Sequence, residues 1–136
     1  PQLRDLLALA GPHGVQQLAI CPAATAYASR LQALAAQQPP LLAAHAYVRY
    51  LGDLAGGQAL RRVAQRAYGL AGPAGTRFFD FGTPAQVAQH GAQLRRALDS
   101  LPLDAPTAQA LVAEAQWAFA QHVQLFEELG ADAAVT

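Results

Sequence analysis

The sequence predicts an all-α protein, and three observations carry that expectation. Alanine and leucine fill 53 of the 136 positions (33 and 20), and both are among the strongest helix formers. Strand formers are scarce, with one isoleucine and seven valines. Proline and glycine fall at intervals that cut the chain into helix-length segments. The length suits a single helical domain over residues 1–136, large enough to bury a core.

The elements follow in order. A short helix is expected from Gln2 to Ala10, ended by Gly11-Pro12. Val15 to Ile20 is ambiguous, and Cys21-Pro22 closes it. Ala23 to Gln37 reads as a helix with Tyr27, Leu31 and Leu34 on an apolar stripe. Pro39-Pro40 opens a long helix, because a first turn tolerates the missing N–H. That helix is expected to reach Tyr68, about 29 residues or roughly 43 Å. Gly69 to Gly82 is a loop containing Phe78-Phe79-Asp80-Phe81. Thr83-Pro84 supplies an N-cap and a first-turn proline for a helix ending near Ser100. A last helix spans Ala105 to Leu129, with Gly130 at the place of a left-handed C-cap and a frayed tail beyond it.

Composition removes several functions. The nine basic and nine acidic side chains balance, which leaves no electrostatic footprint for nucleic acid. Every basic residue is arginine, so a Walker-type phosphate loop and Schiff-base chemistry are excluded. Cys21 is the single cysteine, compatible with a reducing cytoplasm, where the protein is expected. The uncharged stretch from Leu6 to Ser29 is interrupted by Gly11-Pro12-His13-Gly14 and Pro22, so no membrane span is expected. Pro1-Gln2-Leu3-Arg4-Asp5 does not read as a signal peptide, and a start at proline suggests that something precedes it. His13, His45, His90 and His122 are too far apart in sequence to form a helical ligand pair. Ser29 and Ser100 lie in no nucleophile elbow.

One segment stands out: Ala44-His45-Ala46-Tyr47-Val48-Arg49-Tyr50-Leu51-Gly52-Asp53-Leu54-Ala55-Gly56-Gly57-Gln58. Three glycines inside a helix cost roughly 3 kcal/mol relative to alanine, so something must offset them. Gly52 and Gly56 share a face and bare about one turn of backbone to a flat object or to another helix. They also permit a kink. A tight helix crossing is the plainer explanation from spacing alone. Arg49 and Asp53, four apart, read by default as a surface pair. Tyr47, Tyr50, Phe78, Phe79 and Phe81 read by default as core.

The run from Leu41 to Gln58 closely resembles the signature of the biliverdin-producing heme oxygenases. The resemblance continues in family order through Arg77-Phe78-Phe79-Asp80-Phe81, Leu94-Arg95-Arg96, Phe119 and Glu127-Glu128-Leu129. It covers nearly the whole chain and implies a heme oxygenase-like helical bundle, of which these residues match roughly the C-terminal two thirds. It implies that the glycine-rich segment is the distal helix over the oxygen-binding face of heme, with Gly52 and Gly56 against the porphyrin. Asp53 would hold an ordered water chain that delivers a proton during oxygen activation, and Arg49 would support it. Tyr47 and Arg95 match positions that hold the heme propionates. Gly91 stands where the family carries a second basic residue, with His90 or Arg96 as candidates to compensate. Phe79, Phe119 and Phe126 match apolar positions around the pocket, where core packing explains them equally well. Ala55 replaces a common serine.

The family's iron-ligating histidine lies upstream of Pro1, and no residue here matches it. His45 and His122 read as core or rim residues. The resemblance implies an enzyme that opens heme to biliverdin, carbon monoxide and ferrous iron, with heme as substrate and cofactor, O2 as co-substrate and a reductase as electron donor. The alternative is a truncated, non-catalytic protein that keeps the fold and binds heme or a linear tetrapyrrole.

Overall fold

The computed structural model describes residues 20–133, and the helix expected at Gln2 to Ala10 lies outside them. Helix α1 (Pro22–Gln37) is followed by a 3-10 turn at Pro39–Leu41, the one-turn helix α2 (Leu42–His45) and a π-helical segment at Ala46–Leu51. Helix α3 (Gly52–Ala67), a 3-10 turn at Arg77–Phe79, helix α4 (Pro84–Asp99) and helix α5 (Ala105–Ala133) complete the order. No strand occurs among the described residues. No helix among them is long and apolar enough to cross a membrane.

Two expectations about helix boundaries change. The long helix from Pro39 to Tyr68 ends at Ala67 and is not uniformly α-helical, since its winding widens over Ala46–Leu51. Gly130 lies inside α5 and has no left-handed backbone. Ala131 and Ala133 follow it, and their helix propensity favours another turn over a cap at the glycine.

The described residues form two compact units, one of residues 20–50 with 98–133 and the other of residues 51–97. In the first, α1 and α2 pack on α5. Ala44 and Ala118 are both wholly buried, and a methyl side chain on each helix lets the backbones approach closely. Leu34, Leu41 and Val48 complete the apolar core. The N-terminus of α1 is capped from far along the chain: Ala23 N donates to Glu128 Oε2 at 2.9 Å. A carboxylate there satisfies an orphan amide and opposes the positive end of the helix dipole. Cys21, at the N-cap, contributes no side-chain cap.

The same unit encloses a polar cluster. Arg30 donates through Nε to Glu114 Oε1 at 3.0 Å and through Nη2 to Glu114 Oε2. His45 Nε2 lies 3.1 Å from Glu114 Oε1, and His45 Nδ1 lies 2.7 Å from the Tyr27 hydroxyl. Trp117 stacks on Tyr27 with centroids 5.7 Å apart, and the Arg30 guanidinium lies over its ring. Glu114 and His45 are nearly inaccessible, whereas Arg30 reaches solvent.

The other unit is built on α3. Gly57 is buried because Phe79 and Phe81 lie over it; a methyl group there would sit 3.4 Å from Phe81 Cε2 and 3.5 Å from Phe79 Cδ1. Phe78 meets Phe79 edge to face at 5.1 Å. The loop between α3 and this aromatic turn is tied back by Gln65, whose amide donates to Gly72 O at 2.7 Å. Helix α4 starts with a capping box in which Thr83 N donates to Gln86 Oε1 and Gln86 N donates to Thr83 Oγ1. Gly82 precedes it at φ +96°, where a Cβ would lie 2.6 Å from Gln86 Oε1. Only glycine suits that position.

The Arg30 hydrogen bond holds the Glu114 carboxyl below the ordinary glutamate value of 4.5, against the opposing effect of burial. A carboxyl with a depressed folded-state pKa stabilises the fold fully above that ordinary value, and the contribution is lost as pH falls through the folded-state value. Glu114→Ala should destabilise by about 1–3 kcal/mol at pH 7, because it strips the buried His45 Nε2 of its partner. The gap between wild type and variant should narrow in thermal melts carried from pH 7 to pH 3.

Candidate functional site

The π-helical segment is the local event from which the candidate site grows. One extra residue per turn rotates the following side chains relative to a regular helix, and such segments occur often at functional sites. Tyr47, Arg49 and Tyr50 point outward from it and Val48 inward. The two tyrosines, expected in the core, are instead 45% and 40% exposed. Their hydroxyls tolerate solvent, while Val48 takes the buried position of this segment.

In the unit of residues 51–97 the glycines divide into two kinds. Gly57 serves packing, as above. At Gly52 and Gly56, among the described residues, no heavy atom outside the neighbouring residues and the helix's own backbone comes within 4 Å of where a Cβ would be. Among the described residues the tight helix crossing, which their spacing alone made the plainer explanation, is not formed there. Asp53 is half-buried in the first turn of α3, between these glycines. Phe79 lies against Gly57 on the same helix. On α4, Gly91 is buried, and Arg95 folds back so that its Nη1 would be 3.4 Å from a Cβ at position 91. A guanidinium therefore lies over the position where the resemblance leads one to expect a second basic side chain. Among the described residues His90 Nδ1 is buried without a hydrogen-bond partner.

In the other unit, Arg49 lines a cavity of about 280 Å³ with Tyr27, Leu31, Gln121, His122 and Leu125. Burial raises the pKa of Tyr27, and Arg49 opposes this. His122 Nδ1 lies 2.6 Å from Ala118 O, and its ring meets Tyr27 edge-on. Phe119 and Phe126 are 55% and 70% exposed on α5, so they do not belong to the core of this unit. Among the described residues no group of three or more histidine, cysteine or carboxylate side chains is placed to hold a metal ion. The cluster of Tyr27, His45 and Glu114 was not legible as a unit beforehand. The i, i+3 spacing of Tyr27 and Arg30, which brings both to one side of α1, is the local signal that could have pointed to it.

The described residues form a helical protein with no strand, and α3 carries an open glycine face beside an acidic residue. Solved structures are similar to this chain. Heme oxygenase-1 of the cyanobacterium Synechocystis, solved in complex with heme, matches with a TM-score of 0.85 and 39% identity over 96% of this chain and 58% of that one. Heme oxygenase of Leptospira interrogans matches with a TM-score of 0.81 and 38% identity, over 93% of this chain and 62% of that one. Heme oxygenase 1 of Nostoc is 38% identical over 93% of this chain and 53% of its own length. The family model described as heme oxygenase matches residues 3–128, and the chain belongs to the heme oxygenase family. It spans about half the length of the curated relatives it matches.

The glycines supply a direct test. Gly52→Leu and Gly56→Leu should leave apo stability intact or raise it by roughly 0.5–1 kcal/mol, since a side chain there meets open space. Gly57→Leu should cost about 1–3 kcal/mol by overpacking Phe79 and Phe81. Thermal melts of the three apo variants check the contrast.

Proposed function

We propose that the whole protein is a heme oxygenase, opening heme oxidatively to biliverdin, carbon monoxide and ferrous iron with O2 and electrons from a reductase. The observation that carries this reading is the open glycine face of α3 with Asp53 between its two glycines, in a chain of this family. The residues present suit such a group: a flat ring can lie against Gly52 and Gly56 without displacing a side chain.

Heme, when bound, supplies the iron that activates oxygen and the ring that is opened. The protein supplies position and protons. Asp53 is the proton-holding group, passing protons through water at its carboxylate. Arg49 supports it by fixing the polarity of nearby water. Tyr47 and Arg95 offer a hydroxyl and a guanidinium to the two carboxylates of heme. Phe79, Phe119 and Phe126 give apolar surface to the ring, and for Phe119 and Phe126 their exposure accords with a role in binding rather than core packing. The site is expected to function without nucleic acid or membrane as partner.

Asp53→Ala in the complete protein should leave heme affinity within a few-fold of wild type and lower biliverdin formation by about 10²–10⁴-fold. A hemin titration followed by single-turnover absorbance spectra with a chemical reductant measures both. Unchanged turnover would remove Asp53 from the mechanism. Heme binding without turnover in the wild type would favour a non-catalytic tetrapyrrole-binding protein.

A further inference from the structure

Trp117, the single tryptophan of the chain, stands in a group of side chains suited to one-electron transfer. It is half-buried and stacks on Tyr27, with ring centroids 5.7 Å apart and planes 22° from parallel. The Tyr27 hydroxyl lies 2.7 Å from His45 Nδ1, and His45 Nε2 lies 3.1 Å from Glu114 Oε1. Arg30 bonds both oxygens of Glu114 and holds its carboxyl below the ordinary value, so Glu114 is ionised and can only accept. His45 Nε2 therefore carries the proton of the neutral ring, and Nδ1 accepts from the Tyr27 O–H. Burial raises the pKa of Tyr27, so the phenol keeps its proton at neutral pH. An electron taken from it leaves together with that proton, and an acceptor already stands at the hydroxyl.

We propose that Tyr27 is a redox-active tyrosine, which gives one electron to an oxidised Trp117 while its hydroxyl proton passes to His45. The pair is a reversible sink for one-electron oxidants, radicals or metal species strong enough to take a single electron from an indole. Atoms and electrons balance as follows. The oxidant gains one electron from Trp117, and Trp117 recovers it from Tyr27. The O–H bond of Tyr27 breaks as an N–H bond forms at His45 Nδ1, leaving a neutral phenoxyl radical beside an imidazolium. Two features place the electron deficit on Tyr27 rather than on Trp117. The Arg30 guanidinium carbon lies 5.9 Å from the centre of the Trp117 ring, and a like charge there disfavours an indole radical cation. The imidazolium formed at His45 faces the Glu114 carboxylate, an opposite charge that favours it. A thiol or ascorbate then returns one electron to the phenoxyl, and the proton moves back from His45. The proposal goes beyond the heme reading, since neither the pair nor its oxidant requires heme.

Pulse radiolysis of the full chain, free of heme, tests this with azide radical as the one-electron oxidant. In the wild type the indolyl absorbance should decay as the phenoxyl absorbance grows. The rate should be independent of protein concentration and slower in heavy water, because a proton moves with the electron. Tyr27→Phe should abolish that phase and leave a long-lived indolyl radical, although Tyr47, Tyr50 and Tyr68 are still present. Glu114→Gln should slow the phase by about 10-fold, because a neutral amide stabilises the imidazolium less than a carboxylate does. An indolyl radical that persists in the wild type, or equal transfer in Tyr27→Phe, overturns the proposal. So does a rate unchanged in heavy water or in folded Glu114→Gln. Should Glu114→Gln not fold, Tyr27→Phe and the heavy-water rate still decide. Because no heme is added, the outcome does not depend on whether the chain opens heme.

Discussion

The buried carboxylate of Glu114 is the constraint on which the packing of α1, α2 and α5 depends. It lies on α5 almost out of reach of water, and a charge so placed is costly unless it is paired and hydrogen-bonded. Arg30 on α1 and His45 on α2 meet that demand together. The arginine lays its guanidinium over Trp117 and stays partly in solvent, which lowers the desolvation cost of the pair. A buried ion pair is weak evidence for net stability. What it does here is fix register: sliding any of the three helices by one turn would leave an ion or an imidazole unpartnered. The apolar contacts of Ala44 with its surroundings, being non-directional, do not discriminate registers in that way.

From that fixed register the rest of the unit follows. With His45 held, the Tyr27 hydroxyl is hydrogen-bonded to its Nδ1, and the Tyr27 ring meets both Trp117 and His122. The cavity and its polar wall are therefore a consequence of where Glu114 sits. Beyond His45 the winding widens into the π-helical segment, which brings Arg49 to the cavity and turns Tyr47 and Tyr50 outward.

The glycines of α3 illustrate how one composition serves two physical ends. Gly57 is needed because two phenyl rings lie on it, whereas Gly52 and Gly56 face open space. Their helix-propensity cost has no return inside the described residues. Under the proposed function that face is kept bare for the flat ring of heme.

All-α architecture, most helix boundaries and the heme oxygenase signature were legible in the sequence, because propensity, proline and glycine punctuation and a motif at fixed spacing are local properties. Thr83-Pro84-Ala85-Gln86 encodes its own capping box, and the Pro22–Gln37 helix its own length. Long-range pairings were not legible. The cap of α1 comes from Glu128, 105 residues away, and the partner of Arg30 from Glu114, 84 residues away. Nothing in the spacing of Gly52, Gly56 and Gly57 distinguishes the packed glycine from the open ones, and Gly130 reads as a cap until α5 is seen to pass through it. Local sequence sets what each segment prefers to be. Which buried polar groups find each other is decided only when desolvation makes Glu114 and His45 take partners from other helices.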